Sequence, residues 1–249
     1  SNTNDSTIGG EQIGGEINQS YEPNISNSPG EYYYYVEVTS FGCPSTYSSI
    51  ATVTINPLPP IAVSGGNKEY CSGDTIPTLT VSVGSGATVD WYNTPTGGSP
   101  LLSNSTSYTP ASAGTYYAEA RNTTSNCSSS LRVAIILTEN ALPLVPTTSP
   151  VTYCLGDLAV QLTATGSNLL WYTAPTGGTG SSTAPTPSTA SAGITTYYVS
   201  QTDGNTCESA RALLTVTVNS LPQVSASSNS PVCLGDTITS KVAEGIGEW

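Results

Sequence analysis

The 249 residues carry 5 Lys and Arg against 17 Asp and Glu, which gives a net charge of −12, and they include no His and no Met. Without histidine there is no Ser–His or Cys–His catalytic dyad and no histidine metal ligand. Five basic residues are too few to neutralise a nucleic-acid backbone, and no apolar run reaches about 18 residues, so neither a nucleic-acid partner nor membrane insertion is expected.

The composition predicts an all-β fold with almost no helix. Val, Thr and Tyr favour a pleated, half-buried surface, while the 24 Gly and 18 Pro residues supply turns. No long stretch places apolar residues at the 3.6-residue period of a helix. A hydrophobic fraction of 37% that includes 15 Tyr is too high for a disordered polar segment.

In chain order, three short motifs and a second cysteine recur, and this self-similarity predicts tandem repeats. We call the cysteine inside the first motif the leading cysteine of a repeat, and the later one the trailing cysteine. The first motif, [YV]-C-x-G-D, stands at 70–74, 153–157 and 232–236; W-Y-x-x-P-T-G-G stands at 91–98 and 171–178; a tyrosine pair stands at 116–117 and 197–198; and the trailing cysteines are Cys43, Cys127 and Cys207.

Proline-bearing joints divide the chain into four segments. Residues 57–138 and 139–218 each hold a complete set of motifs and are predicted to be whole domains. Residues 1–56 hold a tyrosine run, a trailing cysteine and a last strand, which predicts the C-terminal half of a repeat. Residues 219–249 hold the N-terminal half of a repeat, as far as Trp249. With no initiator Met and no signal peptide, the chain is expected to be a segment of a longer protein.

Each complete repeat is expected to form an antiparallel β-sandwich of six or seven strands. In the first, the pattern predicts strands over 78–83 and 88–92, a turn over 95–98, and a late hairpin of 116–121 with 131–137. The tryptophan of each repeat is predicted to anchor its core, and these residues are Trp91, Trp171 and Trp249.

The six cysteines favour disulfides in an oxidising compartment over a metal site, because no C-x-x-C pair and no histidine is present. A disulfide would stabilise a small core. The repeat register favours a bond between the two cysteines of one repeat and leaves open a cross-repeat bond, Cys71–Cys207. In the favoured pairing the bonds are Cys71–Cys127 and Cys154–Cys207, while Cys43 and Cys233 are unpaired within the chain.

The order Y-C-x-G-D, W-Y-x-x-P-T-G-G, Y-Y and C-E-S-x-R, the last at 207–211, resembles the tandem Ig-like repeats of large Bacteroidota cell-surface proteins such as gliding adhesins. The resemblance implies an extracellular or cell-surface location and export by type IX secretion, with the sorting domain elsewhere in the parent protein. The pattern departs from antibody-type Ig domains, because the trailing cysteine follows the tyrosine pair by about ten residues instead of following a corner tyrosine by two.

The recurring aspartates Asp74, Asp157 and Asp236 each follow a glycine, which predicts turns whose carboxylate accepts backbone N–H groups. Catalysis and a calcium site are the less favoured alternatives, since no D-x-D-x-D-G run is present, and no cofactor is expected. Alternation along Tyr32–Tyr35 predicts that half of this run is buried; the alternative is an exposed stacking surface for sugars.

The resemblance also implies O-glycosylation at Asp-[Ser/Thr] signals, and the candidates are Ser6, Thr75 and Thr237. The alternative is that such pairs arise by chance in a chain so rich in Ser and Thr.

The favoured function is a non-catalytic, structural segment of a long extracellular filament or adhesin stalk. Its expected partners are neighbouring copies or repeats of the same protein, end to end, and surface glycans. Either the chain continues directly into the next repeat, or residues 219–249 of one copy complete residues 1–56 of the next by strand addition. The alternative function is an accessory, spacer or carbohydrate-binding module of a secreted polysaccharide-processing enzyme.

Overall fold

The computed structural model describes residues 28–224, 226–228, 231–237 and 240–242. Within these ranges every regular element is a β-strand and no helix occurs, so the all-β prediction is confirmed. The strands are β1 (Gly30–Tyr34), β2 (Glu37–Val38), β3 (Thr46–Tyr47), β4 (Ala51–Ile55), β5 (Val63–Ser64), β6 (Lys68–Cys71), β7 (Leu79–Ser82), β8 (Ala87–Tyr92), β9 (Ser107–Tyr108), β10 (Gly114–Asn122), β11 (Val133–Asn140), β12 (Val151–Cys154), β13 (Leu169–Tyr172), β14 (Gly193–Gln201), β15 (Ala212–Asn219), β16 (Ala226–Ser228) and β17 (Ser240–Val242).

The first complete repeat forms two sheets. One has the strand order β6-β11-β10-β8 and the other the order β5-β7-β9. The predicted late hairpin is β10 with β11, an antiparallel pair in which Gly114 lies opposite Leu137. Three two-stranded sheets, β1-β4, β2-β3 and β16-β17, flank the complete repeats in the sequence.

The second complete repeat forms one four-stranded sheet in the order β12-β15-β14-β13. Strand β14 pairs antiparallel with both of its neighbours, whereas β12 pairs parallel with β15, with Val151 opposite Val216. The parallel pair differs from the expected antiparallel arrangement. It is possible because most of the repeat separates β12 from β15, so no tight turn forces the two strands to run in opposite directions.

The expected second sheet of this repeat is not formed by regular strands among the described residues. Thr147 and Thr165 make an isolated bridge, and the Leu162 N–H donates to the Pro185 carbonyl at 2.9 Å. Pro185 and Pro187 have no N–H to donate, so this segment cannot continue a hydrogen-bonded ladder.

The chain divides into two compact units. The first consists of the residues up to Tyr70 together with Asp74–Glu139, and the second consists of Cys71–Gly73 together with the residues from Asn140 onward. The leading cysteine of the first repeat, Cys71, therefore belongs to the second compact unit.

The core of the first unit is built around Trp91. Val89 and Trp91 on β8, Ala118 on β10 and Ile135 on β11 are all completely buried. On β10 and β11 the buried positions alternate, as the two-residue period of a strand with one buried face requires, whereas β8 is buried on both faces from Val89 to Tyr92. The Trp91 indole Nε1 donates a hydrogen bond of 2.8 Å to the Ser105 carbonyl, so its one polar group is satisfied inside the core.

A tyrosine corner closes the start of β10. The Tyr116 hydroxyl donates to the Ser112 carbonyl at 2.9 Å, four residues upstream. Two residues after this tyrosine, where antibody-type Ig domains carry a cysteine, the buried Ala118 lies opposite Trp91. The tryptophan therefore packs beside a small apolar side chain and not against a core disulfide.

The second unit has a smaller core of the same type. Thr215 and Thr217 are half-buried and alternate with the apolar residues of β15. The buried residues of this core are Leu162, Trp171, Val199, Leu214 and Val216.

Candidate functional site

In both complete repeats an arginine lies over the tyrosine ring of the W-Y-x-x-P-T-G-G motif, and a glutamate accepts that tyrosine's hydroxyl hydrogen bond. We call these three side chains the Tyr–Arg–Glu clamp. The clamp consists of Tyr92, Arg132 and Glu119 in the first repeat and of Tyr172, Arg211 and Glu208 in the second.

In the first repeat the clamp ties the motif loop to the sheet. The Arg132 Cζ lies 3.3 Å from the centroid of the Tyr92 ring. Its Nε donates to Glu119 at 3.2 Å, and the Tyr92 hydroxyl donates to the other oxygen of the same carboxylate at 3.2 Å. Its Nη1 donates to the loop carbonyls of Thr94 at 3.0 Å and Gly97 at 2.8 Å. One guanidinium thus contacts a ring, a carboxylate and two backbone carbonyls of the loop.

The second repeat reproduces the arrangement. The Arg211 Cζ lies 3.2 Å from the centroid of the Tyr172 ring, and its Nη1 donates to the Ala174 carbonyl at 2.7 Å. The Tyr172 hydroxyl donates to Glu208 at 2.7 Å, and the Ser200 hydroxyl donates to the same oxygen. A cation over an aromatic face and charge-assisted hydrogen bonds are both favourable here, because the ring itself is buried.

The two repeats supply the clamp carboxylate from different positions. Glu119 lies on β10, at the position that Ser200 occupies on β14. Glu208 directly follows its trailing cysteine, at the position that Ser128 occupies in the first repeat. Between the two repeats, glutamate and serine are therefore swapped at these two positions. In both repeats the tyrosine hydroxyl still donates a hydrogen bond to a carboxylate. Sequence reasoning missed this site, although that exchange between the two copies was the available signal.

The electrostatics of the clamp favour a structural role. Burial raises the pKa of Tyr172, and the Glu208 carboxylate raises it further. Burial alone would raise the pKa of Glu208, but hydrogen bonds from Ser200 and Tyr172 and the charge of Arg211 outweigh burial and lower it. In the first repeat, burial and the Glu119 carboxylate likewise raise the pKa of Tyr92. The raised pKa of Tyr172 and the lowered pKa of Glu208 keep the tyrosine neutral and the carboxylate ionised at neutral pH, so the hydrogen bond between them is retained.

The exchange predicts a rescue. Glu119→Ser should lower the free energy of unfolding of the first unit by about 1.5–3 kcal/mol, since it removes hydrogen bonds to a charged group. Adding Ser128→Glu should recover more than half of that loss, because it places the carboxylate where the second repeat has it. Chemical denaturation of both variants measures the effect. Ser128→Glu alone is the control and should bring no gain; a double variant as unstable as Glu119→Ser would refute the exchange.

A second ion pair lies in the first repeat. Arg121 Nε donates to Asp90 at 2.7 Å, and its Nη1 and Nη2 donate to Asn126 at 3.0 Å and Asn104 at 2.6 Å. Asp90 is 5% exposed and also accepts the Asn104 backbone N–H at 3.1 Å. Burial would raise the pKa of Asp90, but the hydrogen bonds from Arg121 and Asn104 outweigh burial and hold this pKa below its usual value.

The lowered pKa of Asp90 predicts how stability depends on pH. A carboxyl with a depressed pKa in the folded state stabilises the fold above its unfolded pKa of about 3.9 and loses this contribution as the pH falls through the folded pKa. Asp90→Asn should therefore be less stable than the original chain at pH 7, and the difference should shrink below about pH 4. Unfolding of both proteins between pH 3 and 7 measures it. A difference that stays constant over that range would contradict the assignment.

One disulfide joins Cys71 to Cys207, with their Cα atoms 5.6 Å apart and a sequence separation of 136 residues. It links the leading cysteine of the first repeat to the trailing cysteine of the second, which is the alternative that the sequence left open. The favoured bonds Cys71–Cys127 and Cys154–Cys207 are wrong. Among the described residues the free cysteines are Cys43, Cys127, Cys154 and Cys233.

Strand geometry explains the correction. Leu155, next to the leading cysteine Cys154, donates its N–H to the carbonyl of Asn219, the last residue of β15, at 2.9 Å. The trailing cysteine Cys207 precedes Ala212, where the same strand begins. The 8 residues of β15 extend over about 25 Å, whereas a disulfide requires Cα atoms within about 7 Å. The two cysteines of one repeat thus lie at opposite ends of its last strand and cannot bond.

A family model described as an Ig-like domain, CHU_C associated, matches residues 59–140 and again residues 143–220. The two matches cover well over half of the 249 residues. The chain belongs to this Ig-like domain family. Ig-like domains are generally non-catalytic, and the sandwich, the tandem arrangement and the tyrosine corner all fit the Ig-like fold. No match to a curated protein was found.

Several solved structures are similar to these Ig-like repeats at low identity. The fibronectin(III)-like modules of Clostridium thermocellum CbhA match with a TM-score of 0.32 and 16% identity, over 64% of this chain and 94% of theirs. Sidekick-1 immunoglobulin domains 1–5 match with a TM-score of 0.31 and 15% identity, over 84% and 49%. Bacteroides ovatus SGBP-B, solved with a mixed-linkage heptasaccharide, matches with a TM-score of 0.23 and 19% identity, over 80% and 54%. The chain thus spans about half the length of the Sidekick-1 and SGBP-B chains. TM-scores this low carry no functional argument.

Two of the three aspartates of the first motif close turns through their carboxylates. Asp157 accepts the N–H of Cys154 at 2.7 Å, and Asp236 accepts the N–H of Cys233 at 3.0 Å. Asp74 is exposed. Within the described ranges no group of three His, Cys, Asp or Glu side chains is placed to hold a metal ion, and no helix is long and apolar enough to span a membrane.

The remaining candidate residues are placed as follows. Thr75 and Thr237 are exposed, as glycan acceptors must be, and their modification stays a prediction. Tyr32–Tyr35 are all half-buried, and the Tyr32 hydroxyl donates to the Ser28 carbonyl at 2.6 Å, the same corner that Tyr116 makes. Ser6 and Trp249 lie outside the described residues.

Proposed function

We propose that this chain is a structural, non-catalytic segment of a long extracellular filament or adhesin stalk of tandem Ig-like repeats, from a Bacteroidota protein exported by type IX secretion. The observation that carries the proposal is the Cys71–Cys207 bond between consecutive repeats. Tension applied along the chain passes through this bond, so the 136-residue loop that it closes is not extended when a repeat unfolds. A disulfide in an Ig-like chain also fits an extracellular or cell-surface protein.

The joints and the composition support the same role. Proline-rich joints at 56–60 and 142–146 favour extended, semi-rigid connections that limit bending. Pro59 and Pro146 within them are buried. Only 9% of the residues are charged, and the many Ser and Thr residues keep the surface solvated. Such a chain would take neighbouring repeats of the same protein as its end-to-end partners.

Pulling on single molecules tests the mechanical role. The oxidised chain, stretched from its ends, should gain roughly 450 Å in contour length when the disulfide is reduced, since that releases 136 residues at 3.3–3.6 Å each. Cys154→Ser is the matched control, because Cys154 is a free thiol, and it should leave the oxidised length unchanged. Equal lengths with and without reductant would contradict the mechanical role. Electron micrographs of the native material should show fibres, and globular particles would refute the filament.

One observation favours the carbohydrate-binding alternative. An open groove of about 430 Å³ in the second repeat is lined by aromatic rings and hydroxyl groups, the combination that suits a sugar face and its hydroxyls. The half-buried Tyr197 and Pro185 form part of its apolar wall, and Ser181 and Thr183 form part of its polar wall. Binding of soluble polysaccharides, measured by calorimetry and lost in Tyr197→Ala, would support this alternative. No heat of binding across such a panel would refute it.

A further inference from the structure

The four free cysteines occupy the same two repeat positions as the bonded pair. Cys154 and Cys233 are leading cysteines, like Cys71, whereas Cys43 and Cys127 are trailing cysteines, like Cys207. Three of these four residues are exposed, and Cys127 is half-buried. Cys207, whose sulfur is bonded, is 1% exposed. The four free cysteines are therefore at least partly accessible to a thiol of another protein molecule or repeat.

We propose that the leading-to-trailing bond recurs along the array, so that every free leading cysteine bonds the trailing cysteine of the repeat that follows it. The partner is a further copy of this chain's own repeats. The inference rests on the proposed function, because it requires repeats joined end to end. If the same bond recurs, a series of disulfides links each repeat to the next along the array.

The leading cysteines share a turn with a glycine at positive φ, and two of them also share an aspartate hydrogen bond. The Cys154 N–H is held by Asp157 and the Cys233 N–H by Asp236, each three residues later. Gly73, Gly156 and Gly235 all have positive φ, between 86° and 100°, so the three turns have the same backbone shape. Strand length excludes a bond within a repeat. A leading cysteine can consequently bond only in the way that Cys71 does, to a trailing cysteine of another repeat.

In a tandem fusion of two copies, Cys233 of the first copy is followed in the sequence by Cys43 of the second, so leading and trailing cysteines keep their repeat order across the fusion point. The rule then pairs Cys154 of the first copy with Cys43 of the second, and Cys233 of the first with Cys127 of the second. Each contact joins different surfaces of the two copies, so the assembly is head-to-tail and stays open for further growth.

The chemistry needs an oxidant, and a low-molecular-weight or protein disulfide supplies it. One thiolate attacks the oxidant's S–S bond to give a mixed disulfide and release one thiol. The partner thiolate then attacks the protein sulfur, forms the new S–S bond and releases the second thiol. Two protein thiols are oxidised and one oxidant disulfide is reduced, and the two protons end on the released thiols.

A tandem fusion of two complete 249-residue copies tests the series. The second copy is marked by Ser45→Thr and Ser130→Thr, two exposed positions, so that its cysteine peptides can be told apart by mass. The fusion is oxidised with glutathione disulfide, free thiols are alkylated, and the linked peptides are mapped without reduction. The expected new links are Cys154 to the marked Cys43 peptide and Cys233 to the marked Cys127 peptide. Free thiols at these four positions, or links within one repeat, would overturn the proposal.

Position-matched variants sharpen the test. Cys154→Ser in the first copy should leave Cys43 of the second copy fully alkylated, while the Cys233–Cys127 link still forms. The same substitution in the second copy is the control, and it should change neither link. Fibres without the two links would refute the series and leave the filament standing. If the two links form in the fusion but the native material shows no fibres, the disulfide series stands and the filament is refuted.

Discussion

Replacing Trp91 by alanine should destabilise the first compact unit by about 3–5 kcal/mol. Trp91 is the largest completely buried side chain, and truncating a buried tryptophan costs about 3–5 kcal/mol. A small domain has roughly 5–15 kcal/mol of stability in total, so this loss is a large fraction of it. Far-UV circular dichroism during denaturation should show the transition of the first unit shifted or missing, while Trp171 fluorescence still reports a folded second unit.

Two further substitutions test the reason for the effect. Trp91→Phe keeps an aromatic ring and loses the indole donor to Ser105, so it should cost less than Trp91→Ala. Phe41→Ala changes a fully exposed aromatic residue of the same unit and should stay within about 0.5 kcal/mol of the original chain. A Trp91→Ala protein with an unshifted transition would show that this tryptophan does not hold the core.

The local elements of the fold were predictable because strand patterning is local. The hairpin predicted over 116–121 and 131–137 forms as Gly114–Asn122 with Val133–Asn140. Apolar and polar residues alternate over 118–121, and the short, continuously apolar run 133–137 is typical of a buried strand. The second sheet of the second repeat was not predictable in this way, because Pro185 and Pro187 decide it by removing backbone donors and not by changing the pattern.

The cysteine pairing and the clamp depend on distances between segments that are remote in sequence. Repeat register places Cys154 and Cys207 in one unit, but only the direction and length of β15 show that they lie at its opposite ends. The clamp was hidden because its carboxylate, Glu119 or Glu208, stands at a different motif position in each copy. Motif comparison looks for the same residue at the same position, whereas the structure requires only a carboxylate at the tyrosine hydroxyl.

Removing the disulfide through Cys71→Ala with Cys207→Ala should destabilise the second compact unit by about 2–5 kcal/mol. Closing a loop of 136 residues restricts the unfolded chain, and the chain-entropy model assigns about 5 kcal/mol to a loop of this length. Both cysteines are replaced so that no unpaired thiol is left at the buried Cys207 position. Guanidinium denaturation under oxidising conditions, followed by tryptophan fluorescence, measures the change.

Reduction provides an independent route to the same state. The original chain in excess reductant should unfold at the same midpoint as the double alanine variant, and reductant should not shift that variant further. Cys154→Ala, which changes an exposed free thiol of the same unit, should stay within about 0.5 kcal/mol of the original chain. Because the loop runs from the end of β6 to the turn before β15, its closure limits how far the chain separates once either unit opens. An original chain that reductant does not shift would show that Cys71 and Cys207 are not bonded to each other.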